Sequence, residues 1–523
     1  MKGTIALVIM LTIATGHIGP AAADTAFDQK MNRFVVKSLE AFAVVPGFAI
    51  GVVRGDSILF VEGYGLRDVE KGLPVTPETG FYIASATKSF TGMTASVLAT
   101  QGRLDLDAPV SRYLPDLELP EPLAAADITL RAMLTHRTGI DNRPVQRQLA
   151  FVDSLSKPDF LDLMLTRSKP MPTDFIYSNL GYNIFGYVIQ EVTGETWQQV
   201  VARTVLQPVG MEHATTSIEL AAQGNFAFPY TLTGATYRPE KYKSDATMHP
   251  AGGMVASASD LVRWLIVNLN DGMIDGQAAL DPDAVRAAHA SYASTDREYY
   301  RFRRTGYGLG WYHSDFEGEL LMHHFGGIDG YHAHVSFMPE HDIGVVALVN
   351  TDAYGASTLT HMAAAYAYET LLGHLDVEQE YAEELADRSG RTRAQKHYED
   401  NLAVAMDMLK AGATAAGTEL LLDALGEAHK AGAISSGAVN NLGYSLAAEE
   451  QVETAIAVFR FNAEANPQNP NVYDSLGEAY EKMGQLALAR ENYAKAYEIA
   501  KAHADRNTEL FKKNLDRVTA MER

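Results

Sequence analysis

The chain has 523 residues, no cysteine and a formal charge of −22, with 65 acidic against 43 basic side chains. That length accommodates two or three domains and a large core held by packing alone. Without thiols there is no disulfide, cysteine nucleophile, cysteine zinc site or cysteine-linked lipid, and the acidic field repels nucleic acid and anionic lipid, so neither is expected as a partner.

Residues 1–23 carry Lys2, a short apolar run from Ile5 to Ile13, and small residues at Ala21 and Ala23. This pattern predicts a secretory signal peptide cut after Ala23 and a periplasmic or secreted protein. The run is short for a membrane span, and no later segment is long and uncharged enough to replace it.

Residues 24–378 alternate Val, Ile and Phe-rich runs with longer helical patterns. FAIGVVRGDSILFVEGYG reads as a hairpin turning at Gly55-Asp56, and YHAHVSFMPEHDIGVVALVN as a second one turning at Pro339 to Asp342. Gly63 and Gly65 belong to the first hairpin, since no helix follows them as a nucleotide loop requires. Strands at both ends with helices between predict an α+β domain. Its antiparallel sheet is flanked by helices, and its first and last strands meet in space.

Between the hairpins lie three candidate chemical motifs. In FYIASATKSFTGMTASVLATQG a turn feeds a buried helix, with Phe90, Met93, Val97 and Leu98 as core positions. Three residues along a helix bring Ser85 and Lys88 to one face, where a desolvated amine can take the serine proton. The same spacing at Ser154 and Lys157 precedes Pro158, which disfavours the geometry. Tyr177-Ser178-Asn179 offers a phenol that a neighbouring ammonium stabilises as phenolate, a carbonyl to hold Lys88 and an amide to hold substrate. His324-Phe325-Gly326-Gly327 precedes the last hairpin. Its glycines allow close approach of a substrate backbone, and the Gly327 and Ser85 amides can form an oxyanion hole. His324 is expected to donate a hydrogen bond to substrate or to Tyr177. His323, His324, His332 and His334 lack a carboxylate at ligand-like spacing, so strand histidines are expected there rather than a metal.

Residues 379–395 read as a polar helix and linker. In 396–523, Leu442, Gly443, Ala455 and Phe459 recur 34 residues later as Leu476, Gly477, Ala489 and Tyr493, while Pro467 becomes Lys501. Leu446 and Asn462 likewise correspond to Tyr480 and Ala496, and Leu421, Leu425 and Ala428 suggest a degenerate earlier copy. The period and pattern resemble the tetratricopeptide repeat, which implies stacked helix pairs and a possible protein partner or self-association.

The three motifs, with GRLDLDAPVSRYLPDL, ITLRAMLTHRTGI, AGGMVASASDLVRWL and GYGLGW, resemble the serine beta-lactamase and penicillin-binding protein superfamily, in its class C-like branch. The resemblance runs from about residue 40 to about residue 355. It implies acylation of Ser85, general-base work shared by Lys88 and Tyr177, and a cleft lined by Asn179, His324 and Gly326. It also implies a helical subdomain beside the sheet, and no cofactor or metal. Class C enzymes typically carry lysine where this chain has His324, which is mostly neutral near pH 7 and weakens the case for an efficient beta-lactamase. The expected activity is a serine hydrolase of an ester, D-peptide or related amide, resembling esterases, D,D-carboxypeptidases and D-aminopeptidases. The alternatives are a weak beta-lactamase, or a silent penicillin-binding-like receptor whose repeats bind a partner. Phe325 leans the expectation towards apolar acyl substrates.

Overall fold

The computed structural model describes residues 25–42, 45–117, 128–141, 169–170, 175–232, 236–237, 243–352, 355–503, 505 and 507–521. The expected signal peptide and the second Ser-x-x-Lys copy at Ser154 and Lys157 lie outside the described residues. The chain divides into two compact units, with the division between Ala382 and Glu383.

In the first unit a nine-stranded antiparallel sheet forms from the strands β1 (Gly47–Arg54), β2 (Ser57–Asp68), β3 (Leu73–Pro74), β4 (Ala293–Tyr299), β5 (Phe302–Tyr307), β6 (Tyr312–Phe316), β7 (Glu319–Ile328), β8 (Tyr331–Met338) and β9 (Ile343–Val349). The order is β4-β5-β6-β7-β8-β9-β1-β2-β3. Both predicted hairpins form with the expected turns, and β1 pairs with β9, Phe48 opposite Val349. The two ends of the domain sequence therefore meet at the centre of the sheet. GFAIGVVR and IGVVALV are apolar almost throughout, because helices cover both faces of these strands.

On one face, α2 (Thr87–Thr100) is buried from Thr87 to Leu98, so it is apolar around most of its circumference rather than striped. Beside it lies α4 (Ala258–Leu269), started by a capping box between Ser257 and Asp260. Its Val262 sits where a Cβ on Gly51 would come within 2.3 Å, so the glycine lets helix and strand touch. The opposite face is covered by α6 (Ala356–Leu372), against which α1 (Thr25–Ala41) packs. The remaining helices named in this unit are α3 (Leu180–Thr193), a main element of the expected helical subdomain, and α5 (Pro282–His289).

The segment 379–395 is helical throughout, as part of α7 (Val377–Lys410), inside which the division between units falls. The second unit continues with α8 (Thr414–Lys430), α9 (Ser436–Ala448), α10 (Val452–Ala465), α11 (Pro470–Lys482), α12 (Leu486–Ala502) and α13 (Thr508–Met521). Every repeat position named above from Gly443 to Ala496, apart from Pro467, is buried, as are Leu421, Leu425 and Ala428, whereas Leu442 is half-buried. A Cβ on Gly443 would stand 2.6 Å from the Phe459 ring and one on Gly477 would stand 2.9 Å from the Tyr493 ring, so the paired small and large residues are in contact. Buried Asn462 donates to Asn440, which donates to Ser475, a polar chain linking α10, α9 and α11.

Candidate active site

The chain reaches the site through a short strand, Phe81–Tyr82, and a tight turn, Ala84–Ala86, that runs into α2. Ala84 has a φ of 45°, a left-handed conformation that costs a non-glycine residue about 1 kcal/mol and holds Ser85 at the helix mouth. β7 crosses directly over this turn. A Cβ on Gly326 would lie 2.0 Å from the Ile83 carbonyl oxygen, so only glycine permits the approach. Ser85 is half-buried, and no backbone carbonyl among the described residues accepts from its N–H. β6 pairs with β7 only as far as His323, so His324 to Ile328 are bonded to β8 on one side and leave the other edge to the cleft.

Lys88 is fully buried. Its Nζ lies 3.2 Å from Ser85 Oγ and donates to the Ala251 carbonyl at 2.6 Å. That carbonyl belongs to the AGGM segment, which is itself fixed: the Ala251 N–H donates to Asn183 Oδ1, and Thr91 Oγ1 donates to the Pro250 carbonyl. Burial pushes the Lys88 amine well below its usual range and the Tyr177 phenol well above its own. Burial thus disfavours both charges of the phenolate beside ammonium expected from sequence. Tyr177 is hydrogen-bonded to the Ser85 side chain, and its ring centre is 5.0 Å from Lys88 Nζ.

Asn179 caps α3 by position, but its side chain makes no cap bond, and its Oδ1 is buried without a partner. The Lys88 hydrogen bonds go to Ser85 and Ala251 and not to this amide. His324 is buried on β7, with its ring 6.0 Å from that of Tyr177. Its Nδ1 bonds the Phe325 carbonyl at 2.9 Å, and since a carbonyl only accepts, the proton is on Nδ1. Burial, with Lys88 beside it, holds the ring neutral, leaving the unpartnered Nε2 as an acceptor. His324 thus presents an acceptor atom where a donor was expected. Gly327 follows Gly326 on the same open stretch, opposite His332.

Phe325 points the other way. Side chains alternate along a strand, so with His324 and Gly326 facing Ser85, Phe325 packs against His323, His334 and His361 on the α6 side. It does not line the cleft, and the lean towards apolar substrates loses its basis. His323 bonds Ser314, and His334 bonds His361 and Ser336. No group of three or more metal-ligating side chains is gathered among the described residues.

One residue in this site was not assigned a role from sequence. His136, in LTHRTG, has a φ of 61° and is buried. Its carbonyl accepts from the Ile176 N–H at 2.9 Å and its Nδ1 from the Ser178 N–H at 3.2 Å, so it grips the chain on both sides of Tyr177. Its ring lies 4.4 Å from the Tyr177 ring. The sequence signal was its place in ITLRAMLTHRTGI, one of the segments that carry the family resemblance.

The family model for Beta-lactamase matches residues 34–369. The chain belongs to the Beta-lactamase family. Protein flp of Staphylococcus aureus (strain MRSA252) is 28% identical over 314 residues, which is 58% of this chain and 60% of flp. Unguisins hydrolase ungD of Aspergillus violaceofuscus is 27% identical over 367 residues, covering 64% of each protein. Among solved structures, the octameric penicillin-binding protein homologue from Pyrococcus abyssi superposes with a TM-score of 0.57 at 26% identity, over 66% of this chain and 77% of that one. The chain thus spans less than two thirds of the length of these curated Beta-lactamase relatives. Ser85, Lys88, Tyr177, Asn179, His324, Gly326 and Gly327 all fall inside the matched Beta-lactamase region.

Proposed function

We propose that the first unit is a serine hydrolase that forms an acyl-enzyme on Ser85 and passes the acyl group to water. The observation carrying this reading is the hydroxyl of half-buried Ser85, 3.2 Å from a buried lysine amine whose charge desolvation disfavours. Lys88 Nζ donates to Ser85 Oγ and to the Ala251 carbonyl, and loss of the proton that burial disfavours frees its lone pair for the serine proton. Ser85 Oγ attacks the substrate carbonyl carbon as its proton passes to Lys88. The developing oxyanion is held by the Ser85 and Gly327 amides. Collapse expels the leaving group, which takes a proton from the Tyr177 phenol as the phenol is replenished from Lys88. Water then attacks the acyl-enzyme by the reverse relay. Esters, D-peptides and related amides are the proposed substrates, and the fungal relative's name, a hydrolase, supports the reaction class.

Ser85→Ala is expected to remove at least about 10³-fold of the hydrolysis of nitrophenyl acetate, with loss of the mass adduct formed by a fluorophosphonate. Unchanged hydrolysis would overturn the assignment. Residues 1–23 are proposed to direct export. Among the described residues no helix is long and apolar enough to cross a membrane. For the second unit we propose a tetratricopeptide-like array that binds a protein partner or a second copy, supported by the equivalent contacts of Gly443 on Phe459 and Gly477 on Tyr493.

A further inference from the structure

His136 combines two features that oppose folding. Its φ of 61° is a left-handed conformation, and its Nε2 is buried without a hydrogen-bond partner among the described residues. Because Nδ1 accepts from the Ser178 N–H, the proton of the neutral ring sits on that Nε2. A strained backbone and a buried donor with no acceptor persist where a site needs a fixed geometry.

The base on which His136 stands is rigid. The short helix Leu130–Leu134 ends just before it, pressed on α3: Tyr182 Oη donates to the Leu134 carbonyl at 2.8 Å, and a Cβ on Gly181 would stand 2.3 Å from the Met133 carbonyl oxygen. From this base His136 meets the Tyr177 segment in three ways. Its carbonyl takes the Ile176 N–H at 2.9 Å, its Nδ1 takes the Ser178 N–H at 3.2 Å, and its ring lies 4.4 Å from the Tyr177 ring. The rings of Phe175, Tyr182 and Tyr307 also pack against the imidazole. Tyr177 in turn meets the Ser85 side chain through its phenol.

We propose that His136 is a positioning residue, holding Tyr177 where its phenol stays on Ser85 Oγ and hands its proton to the leaving group. This rests on the hydrolase reading above and adds to it a buried group that acts through Tyr177. The role requires an acceptor at the place of Nδ1 and ease at positive φ. Asparagine has both, since its Oδ1 stands close to where Nδ1 does and its short side chain tolerates the left-handed region. Leucine fills the space and has neither property.

The test uses two esters that give the same acetyl-enzyme on the full-length protein. Nitrophenyl acetate loses a leaving group that departs without a proton, whereas the alkoxide of benzyl acetate must take one from Tyr177, so the ratio of their kcat/KM values reports the phenol. In His136→Leu the loss for benzyl acetate is expected to exceed that for nitrophenyl acetate about tenfold or more, and His136→Asn to keep the ratio within about twofold of wild type. In a Tyr177→Phe background, where no phenol remains to be held, His136→Leu should alter benzyl acetate hydrolysis by less than about twofold. If thermal unfolding shows that His136→Leu does not fold, His136→Gln, whose acceptor lies one carbon further out, is read by the same ratio. Equal losses on the two esters, or a loss in Tyr177→Phe as large as that in wild type, make the role structural and overturn the proposal while Ser85-dependent hydrolysis stands. Hydrolysis of both esters that persists in Ser85→Ala removes the hydrolase reading, and the proposal with it.

Discussion

Lys88 and Tyr177 show how one physical effect, burial, assigns two roles in opposite senses. Desolvation disfavours charge, so it lowers an amine and raises a phenol. Burial helps the amine become a base by shedding its proton, whereas the phenol must lose a proton that burial makes hard to remove. Activity should therefore rise with pH along an acid limb as Lys88 loses its proton, with a midpoint well below 10.5. Tyr177→Phe is expected to lower the plateau of kcat/KM by about 10²-fold and keep that limb, and Lys88→Arg, permanently charged, to lose about 10³-fold or more at every pH. Disappearance of the limb in Tyr177→Phe would make the phenol the base instead. The Ser85 and Lys88 pairing was legible because it is local, one turn of helix. The grip of His136 on Tyr177 was not, because it needs a left-handed residue and partners some 40 positions away.

At the scale of elements, glycines mark where backbones touch. Gly326 lets β7 cross the Ser85 turn, so a methyl group there must move the strand or the nucleophile. Gly326→Ala should cost about 1–3 kcal/mol of stability and reduce hydrolysis at least tenfold, read by thermal unfolding and ester turnover. Gly443→Ala offers the contrast. It should destabilise the second unit by a similar amount through the Phe459 ring while leaving ester turnover as in wild type. Equal loss of turnover in both variants would contradict the separation of the two units. Strand periodicity was misjudged at Phe325 for a related reason. The sequence shows that His324 and Phe325 face opposite ways, but not which face holds the serine.

At the scale of the whole molecule, the first unit holds an unusual number of buried neutral histidines. His136, His323, His324 and His361 are lowered well below 6.5 by burial, and His289 and His334 are pushed down to about 3. Below pH 6.5 the unfolded chain binds protons that the folded unit refuses. Stability then rises with pH across that window and is lost as pH falls through it. Calorimetry of the full chain should show the transition of the first unit moving to lower temperature between pH 6.5 and 4.5. No histidine of the second unit is buried among the described residues, so its transition lacks this contribution. A first-unit transition that stays fixed over this range would contradict the neutral assignment.

The sequence by itself determined the periodic and local features: both hairpins, the buried helix bearing Lys88, the serine-lysine pair and the 34-residue repeat. Each of these depends on residues near one another in the chain, where spacing alone sets which side chains share a face. It also carried the family, because many short segments agreed in order. Tertiary structure decided what distance along the chain conceals. It set the tie of Lys88 to Ala251, the tautomer of His324, the outward turn of Phe325 and the hold of His136 on the Tyr177 segment. Those depend on which strand lies over which turn and on how much water the packing removes, and neither quantity is written in the order of residues.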